Sequence, residues 1–175
     1  MDTKIHAKIT RLSRVAQYLS LLFLAGTPLL YFWLLYTGQW SILLKLPKEV
    51  IFNEATLTTS HKAIIALIPM ISIAVYMLLF QKLFRLFDLF KKEEFFSHNT
   101  ITAVLHIGYL LVVIDFAKIF ESLVGSLVLN AIGAIQSGAY ANVGFSMLIV
   151  GIFVVIVGHI WKISLEMYEN ERLTV

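Results

Sequence analysis

Residues 111–125 read LVVIDFAKIFESLVG, a run apolar enough for a membrane span that nevertheless carries Asp115, Lys118 and Glu121. The surrounding window, residues 103–128, passes the length test of about 20 mostly apolar residues for crossing a bilayer. Three other windows pass it: QYLSLLFLAGTPLLYFWLLYT (17–37), KAIIALIPMISIAVYMLLF (62–80) and VGFSMLIVGIFVVIVGHIWKIS (143–164). The whole chain agrees. Of its 175 residues 59% are hydrophobic and the mean hydropathy is +0.83, whereas soluble domains run at about 45–50% apolar. A domain of this size leaves too much surface exposed to hide that excess in a core. The reading is therefore an all-α integral membrane four-helix bundle, a single transmembrane domain over residues 1–175.

The basic start followed by an apolar run invites comparison with a signal peptide. The run is too long and no small-x-small cleavage site follows it, so a retained first span is expected. The absence of cysteine excludes disulfides, thiolate metal sites and cysteine nucleophiles.

Basic residues set the orientation. Lys4, Lys8, Arg11 and Arg14 precede the first span, and Lys82, Arg85, Lys91 and Lys92 lie between the second and third. The first loop offers Lys45 and Lys48, with Lys62 at its edge, and the third loop offers none. Lysine and arginine favour the cytoplasmic side, which places both termini and the middle loop inside. Lys162 and Arg172 agree with that placement.

Two inside segments look amphipathic. In DTKIHAKITRLSRVAQ, Ile5, Ile9, Leu12 and Ala16 recur at helical spacing opposite Lys4, Lys8 and Arg11. In KLFRLFDLFKKEEFF, Phe and Leu alternate with Lys82, Arg85, Asp88 and Lys91. Short interfacial helices at the N-terminus and in the middle loop, lying on the anionic leaflet, are expected. The sharper alternative is a docking face for a protein partner, with Arg85, Lys91 and Lys92 as its residues. Ser97 is placed to cap the third span. The outward loop GQWSILLKLPKEVIFNEATLTTSH is expected to touch headgroups or helix tips through Trp40, with alternation too poor for a strand. The uncharged NAIGAIQSGAYAN should pack closely on the bundle.

The charges in the third span follow a rule. Asp115, Lys118 and Glu121 are spaced by three, so neighbours in the series lie close on one helix surface. Each step of three slips by about 60°, giving a slanting stripe with a formal charge of −1. An uncompensated charge at mid-bilayer costs roughly 2.5–3.5 kcal/mol on insertion scales, so this face must turn to protein or water. At about 1.5 Å per residue Asp115 lies about 20 Å from the inner boundary, while Pro28 and Pro69 lie at about 16–18 Å. Each proline should kink its helix. Together these residues outline a small polar pocket in the outer half, serving either to bind a ligand or ion or to fix helix packing as a structural ion pair.

Gly144, Gly151 and Gly158 recur every seven residues and line one stripe, a packing signal for the bundle itself or for a symmetric homo-oligomer. His106 and His159 fall at similar depth, weak candidates for binding a metal or haem iron against the plainer reading of interhelical hydrogen bonds. No phosphate-cradling glycine loop, HExxH or GxSxG occurs, which points away from an enzyme and implies no cofactor. The basic segments are short and pressed against spans, which argues against direct nucleic-acid binding.

The stretch LFRLFDLFKKEEFFSHNTITAVLHIGYLLVV (83–113) and the ending ENERLTV (169–175) carry a resemblance. A basic, aromatic helix end, then FFS before a polar turn, then IGY resembles an uncharacterised family of small bacterial four-span membrane proteins, the domain of unknown function 2975 type. The resemblance implies a bacterial inner-membrane protein, often encoded beside a small helix-turn-helix regulator, and supplies no catalytic residues. The leading functional expectation is a sensory or regulatory module acting with a cytoplasmic transcriptional regulator. The alternatives are a small transporter or ligand-binding membrane protein using the polar pocket, and a structural subunit of a membrane complex.

Overall fold

The computed structural model describes residues 3–44, 46, 50–135 and 143–173, with side chains described only between Lys8 and Glu171. Lys45, Lys48, most of the third loop and the end of ENERLTV lie outside the described residues, as do the side chains of Lys4 and Arg172. The elements are α1 (Thr3–Thr37), α2 (Trp40–Leu43), a 3-10 turn (Glu54–Thr56), α3 (Thr59–Leu67), α4 (Met70–Lys91), α5 (His98–Ala131) and α6 (Ser146–Leu173). Four stretches are long and apolar enough to cross a membrane: Lys8–Thr37, Thr59–Lys91, His98–Ala131 and Ser146–Glu171. The protein is a multi-pass integral membrane protein.

The helices outrun the bilayer. The 34 residues of α5 make a rod about 50 Å long, against about 30 Å of hydrocarbon. This corrects the expectation of separate interfacial helices. The basic N-terminal segment is the start of α1, and the basic aromatic segment is the end of α4. Neither 3–17 nor 80–91 contains a glycine or proline to end the helix, so each continues unbroken from its span.

The stops are explicit. Gly38 (φ +71°) and Gly133 (φ +73°) take the left-handed conformation just past α1 and α5. Gln39 N–H bonds the Leu34 carbonyl at 3.1 Å and Ala134 N–H bonds that of Leu129 at 2.9 Å, closing the two helix ends in the same way. The end of α4 repeats the pattern with Glu94 N–H on the Leu89 carbonyl at 3.1 Å, but a glutamate, Glu93 (φ 64°), occupies the left-handed position. That conformation costs a side-chain-bearing residue about 1–2 kcal/mol. Ser97 starts α5 as expected, its side chain accepting from Thr100 N–H at 3.2 Å.

Packing runs as a row: α1 on α4, α4 on α5, and α5 on α6. Leu79, Leu86 and Leu89 of α4 meet Ala103, Ile107 and Ile114 of α5 in one apolar cluster. A second cluster closes the end away from the termini, where Tyr31, Trp40, Leu44, Leu57, Ile65 and Leu129 meet. There Asn53 N–H bonds the Ala134 carbonyl at 2.9 Å and Phe52 pairs with Ile135, so the two loops of that end are tied together. The outer helices turn large apolar side chains such as Leu29, Phe32, Phe153 and Ile160 outward.

Helix α6 seats closely on α5 because two glycines face each other. A Cβ added at Gly108 would fall 3.1 Å from the Gly151 carbonyl oxygen and 3.0 Å from Val155 N. One added at Gly151 would fall 2.8 Å from the Gly108 carbonyl oxygen. Backbones can approach this way only where side chains are missing.

Candidate functional site

Asp115 stands halfway along α5, about 25 Å from either end by the helical rise. It is 1% exposed and doubly engaged. Lys118, one turn on, donates to its Oδ1 at 3.3 Å. Its Oδ2 accepts the backbone N–H of Leu148 at 2.8 Å. Leu148 lies in the first turn of α6, where amides have no partner within their own helix. A carboxylate there satisfies one of them and meets the positive end of the helix dipole. Asp115 thus caps a neighbouring helix that begins beside the midpoint of α5.

Glu121 points elsewhere. Six residues separate it from Asp115, which turns it by about 120° around the helix axis, and it reaches α4 instead of α6. Ser72 donates to its Oε2 at 2.5 Å. Lys118 lies between the two acids, 6.0 Å from the centre of the Tyr76 ring, within reach of a cation–π attraction. The slanting stripe expected from the spacing is present, but its members address different helices.

A cavity of about 250 Å³ opens on this group, lined by Asp115, Lys118, Glu121 and Ser122 together with Gly144 and Ser146. A second cavity of about 420 Å³, mostly apolar, shares the Glu121 wall and is otherwise bounded by residues including Tyr31, Pro69, Ser72 and Tyr76. Glu121 therefore separates a polar chamber from an apolar one.

Proline 69 belongs to this second chamber. It divides α3 from α4, and Ile68 N–H reaches back only three residues, to the Ile65 carbonyl at 3.3 Å. In the same interrupted turn the Ala66 carbonyl accepts the Tyr31 hydroxyl of α1. A side chain from the next helix thus supplies a donor where proline disturbs the ladder. Pro28 behaves differently: α1 runs through it without interruption. It lies one residue from Thr27, which lines the apolar chamber and donates to the Phe23 carbonyl at 2.7 Å.

The remaining sequence-derived residues separate cleanly. Gly151 and Gly158 pack on α5, Gly158 against Leu105, whereas a Cβ at Gly144 would meet nothing within 4 Å. Gly144 precedes α6 and edges the polar cavity, so the heptad spacing carries through only two of the three glycines. His159 is 3.5 Å from the Tyr109 hydroxyl, while His106 lines a groove with Lys82 and Arg85. The two imidazoles serve different neighbours. Among the described residues no three His, Cys, Asp or Glu side chains converge as a metal site would require. Arg85 and Lys91 are exposed. Lys92 is tied to Asp88 at 2.7 Å, and that hydrogen-bonded carboxylate holds the ammonium above its ordinary range.

Sequence reasoning missed Ser72, Tyr76, Tyr31 and the start of α6. Ser72 and Tyr76 are four apart in an otherwise apolar run, so their shared helix face was an available signal. Nothing in the spacing announced that α6 would begin beside Asp115.

The chain belongs to the DUF2975 family, proteins of unknown function, which it matches over residues 14–175. No curated protein and no solved structure matches it.

Proposed function

We propose that the protein is a membrane sensor whose polar cavity takes a small zwitterionic solute, with α6 as the responding element and no catalytic step. The observation that carries this reading is the opening of opposite charges, Lys118 and Glu121, onto one cavity of about 250 Å³. That is room for about eight waters at roughly 30 Å³ each, or for a solute the size of a small amino acid. Lys118 would receive its anionic group and Glu121 its cationic group. Lys118 also holds Asp115, which holds the first turn of α6, so a solute that engages Lys118 changes how α6 is anchored.

The bilayer in question is the bacterial inner membrane, with the termini inside. Lys8, Arg11, Arg14, Lys82, Arg85, Lys91, Lys92 and Lys162 crowd the end that carries the termini, against Lys62 at the other described end, which supports that orientation. The response would be read inside by a helix-turn-helix regulator, with exposed Lys91 among the residues available to it. A transporter would use the same cavity but would move the solute across the membrane.

Calorimetric titration of the purified protein with a panel of zwitterionic amino acids tests the binding step. Lys118→Gln and Glu121→Gln should each weaken binding by about 10- to 100-fold, the loss of a charged hydrogen bond worth about 1.5–3 kcal/mol. Unchanged affinity in both variants would remove the cavity from the reading, and flux into proteoliposomes would reassign it to transport.

A further inference from the structure

Near the end of the bundle that carries the termini, a groove of about 70 Å³ lies between α4 and α5, lined by Lys82 and Arg85 from one helix and Asn99, Thr102 and His106 from the other. Among the described residues no carboxylate lines it, and neither Lys82 nor Arg85 has an ion-pair partner there. The nearby acid Asp88 is engaged by Lys92 at 2.7 Å. The groove is small, basic and furnished with further polar side chains.

Its height matters. Asn99, Thr102 and His106 lie about 13–23 Å from the midpoint of α5 by the helical rise. With α5 centred in the bilayer, the headgroup layer occupies about 15–22 Å from the midplane. The volume is about that of two waters, enough for a phosphate group and too little for a whole headgroup. Lipid acyl chains would run down the exposed apolar surface that continues below, where Tyr109, Val113 and Phe116 of α5 face outward.

We infer that this groove is a binding site for the phosphate of an anionic phospholipid, held by Lys82 and Arg85 and completed by Asn99 and His106 of α5. Cations beside an anionic membrane surface contribute about 1 kcal/mol each, or about fivefold apiece in affinity. This site is independent of the polar cavity, whose α5 residues are centred about 25 Å away along the helix.

Native mass spectrometry of the full chain, released from vesicles of equal parts phosphatidylglycerol and phosphatidylcholine, tests it. The wild type should retain phosphatidylglycerol in preference to phosphatidylcholine. The double substitution Lys82→Gln, Arg85→Gln should lower that retention by about 30-fold, the fold-change for two such cations. Lys162→Gln, which removes a cation already paired with Glu166 at 3.7 Å, should leave it intact, and circular dichroism of each variant should report the same helix content. Arg85→Lys, which keeps the charge, should preserve most of the retention and guards against a folding artefact. Equal retention in the double variant, or equal loss in Lys162→Gln, would overturn the site. Displacement of the lipid by inorganic phosphate would assign the groove to a soluble phosphate and overturn the lipid assignment.

Discussion

Asp115→Ala is expected to destabilise the bundle by about 3 kcal/mol, near the low end of the cost of breaking a buried ion pair. Two partners lose their acceptor together. Lys118 loses the carboxylate it is paired with at membrane depth, and Leu148 N–H loses the carboxylate that satisfies it. The low end applies because Lys118 is 29% exposed and can turn toward the cavity. Asp115→Asn separates the two contributions, since its amide oxygen can still accept from Leu148 N–H while the charge is gone. Fractional unfolding in mixed detergent should rank wild type above Asp115→Asn and both above Asp115→Ala. Equal stability of all three would show that the aspartate neither pairs nor caps.

Gly151→Leu should cost as much or more, through sterics alone. Its Cβ would fall 2.8 Å from the Gly108 carbonyl oxygen and 2.9 Å from Val112 N, atoms of the α5 backbone that have no rotamer in which to escape. Overpacking of a tight contact costs about 1–3 kcal/mol, and the remaining leucine atoms force α6 away from α5 altogether. The measurement is the same unfolding assay, joined to crosslinking between cysteines introduced at Leu105 and Gly158, which lie in contact in the native pair. Gly144→Ala supplies the control, because nothing stands within 4 Å of its Cβ, and should shift stability by no more than about 0.5 kcal/mol. A Gly151→Leu protein as stable as the control would mean that the glycine contact does not hold the two helices.

The class of fold was legible because hydrophobic length is a local property. Residues 17–37, 62–80, 103–128 and 143–164 each fall on one of the four membrane-length helical stretches. Where the helices end was less legible. Basic residues mark the water boundary but do not break a helix, so α1 and α4 pass through that boundary unmarked. At the candidate site, spacing identified the Asp115–Lys118 pair, an interaction within one turn. It did not identify Ser72 or Leu148, which arrive from other helices through the packing of α4 and α6 on α5. Gly108 was missed for a related reason. A single glycine on α5 acquires meaning only from the glycine opposite it.

The two apolar clusters do not merge. One gathers around Leu129 and Tyr31 at one end of the molecule, the other around Ile107 and Leu86 toward the opposite end. Between them α5 carries Asp115, Glu121, Ser122 and Ser126, all buried. Cooperative units follow contiguous packing, so this polar belt divides the protein into two rafts joined by the continuous helices α1 and α5. Slow amide exchange should then fall into two classes along α5, one for each raft.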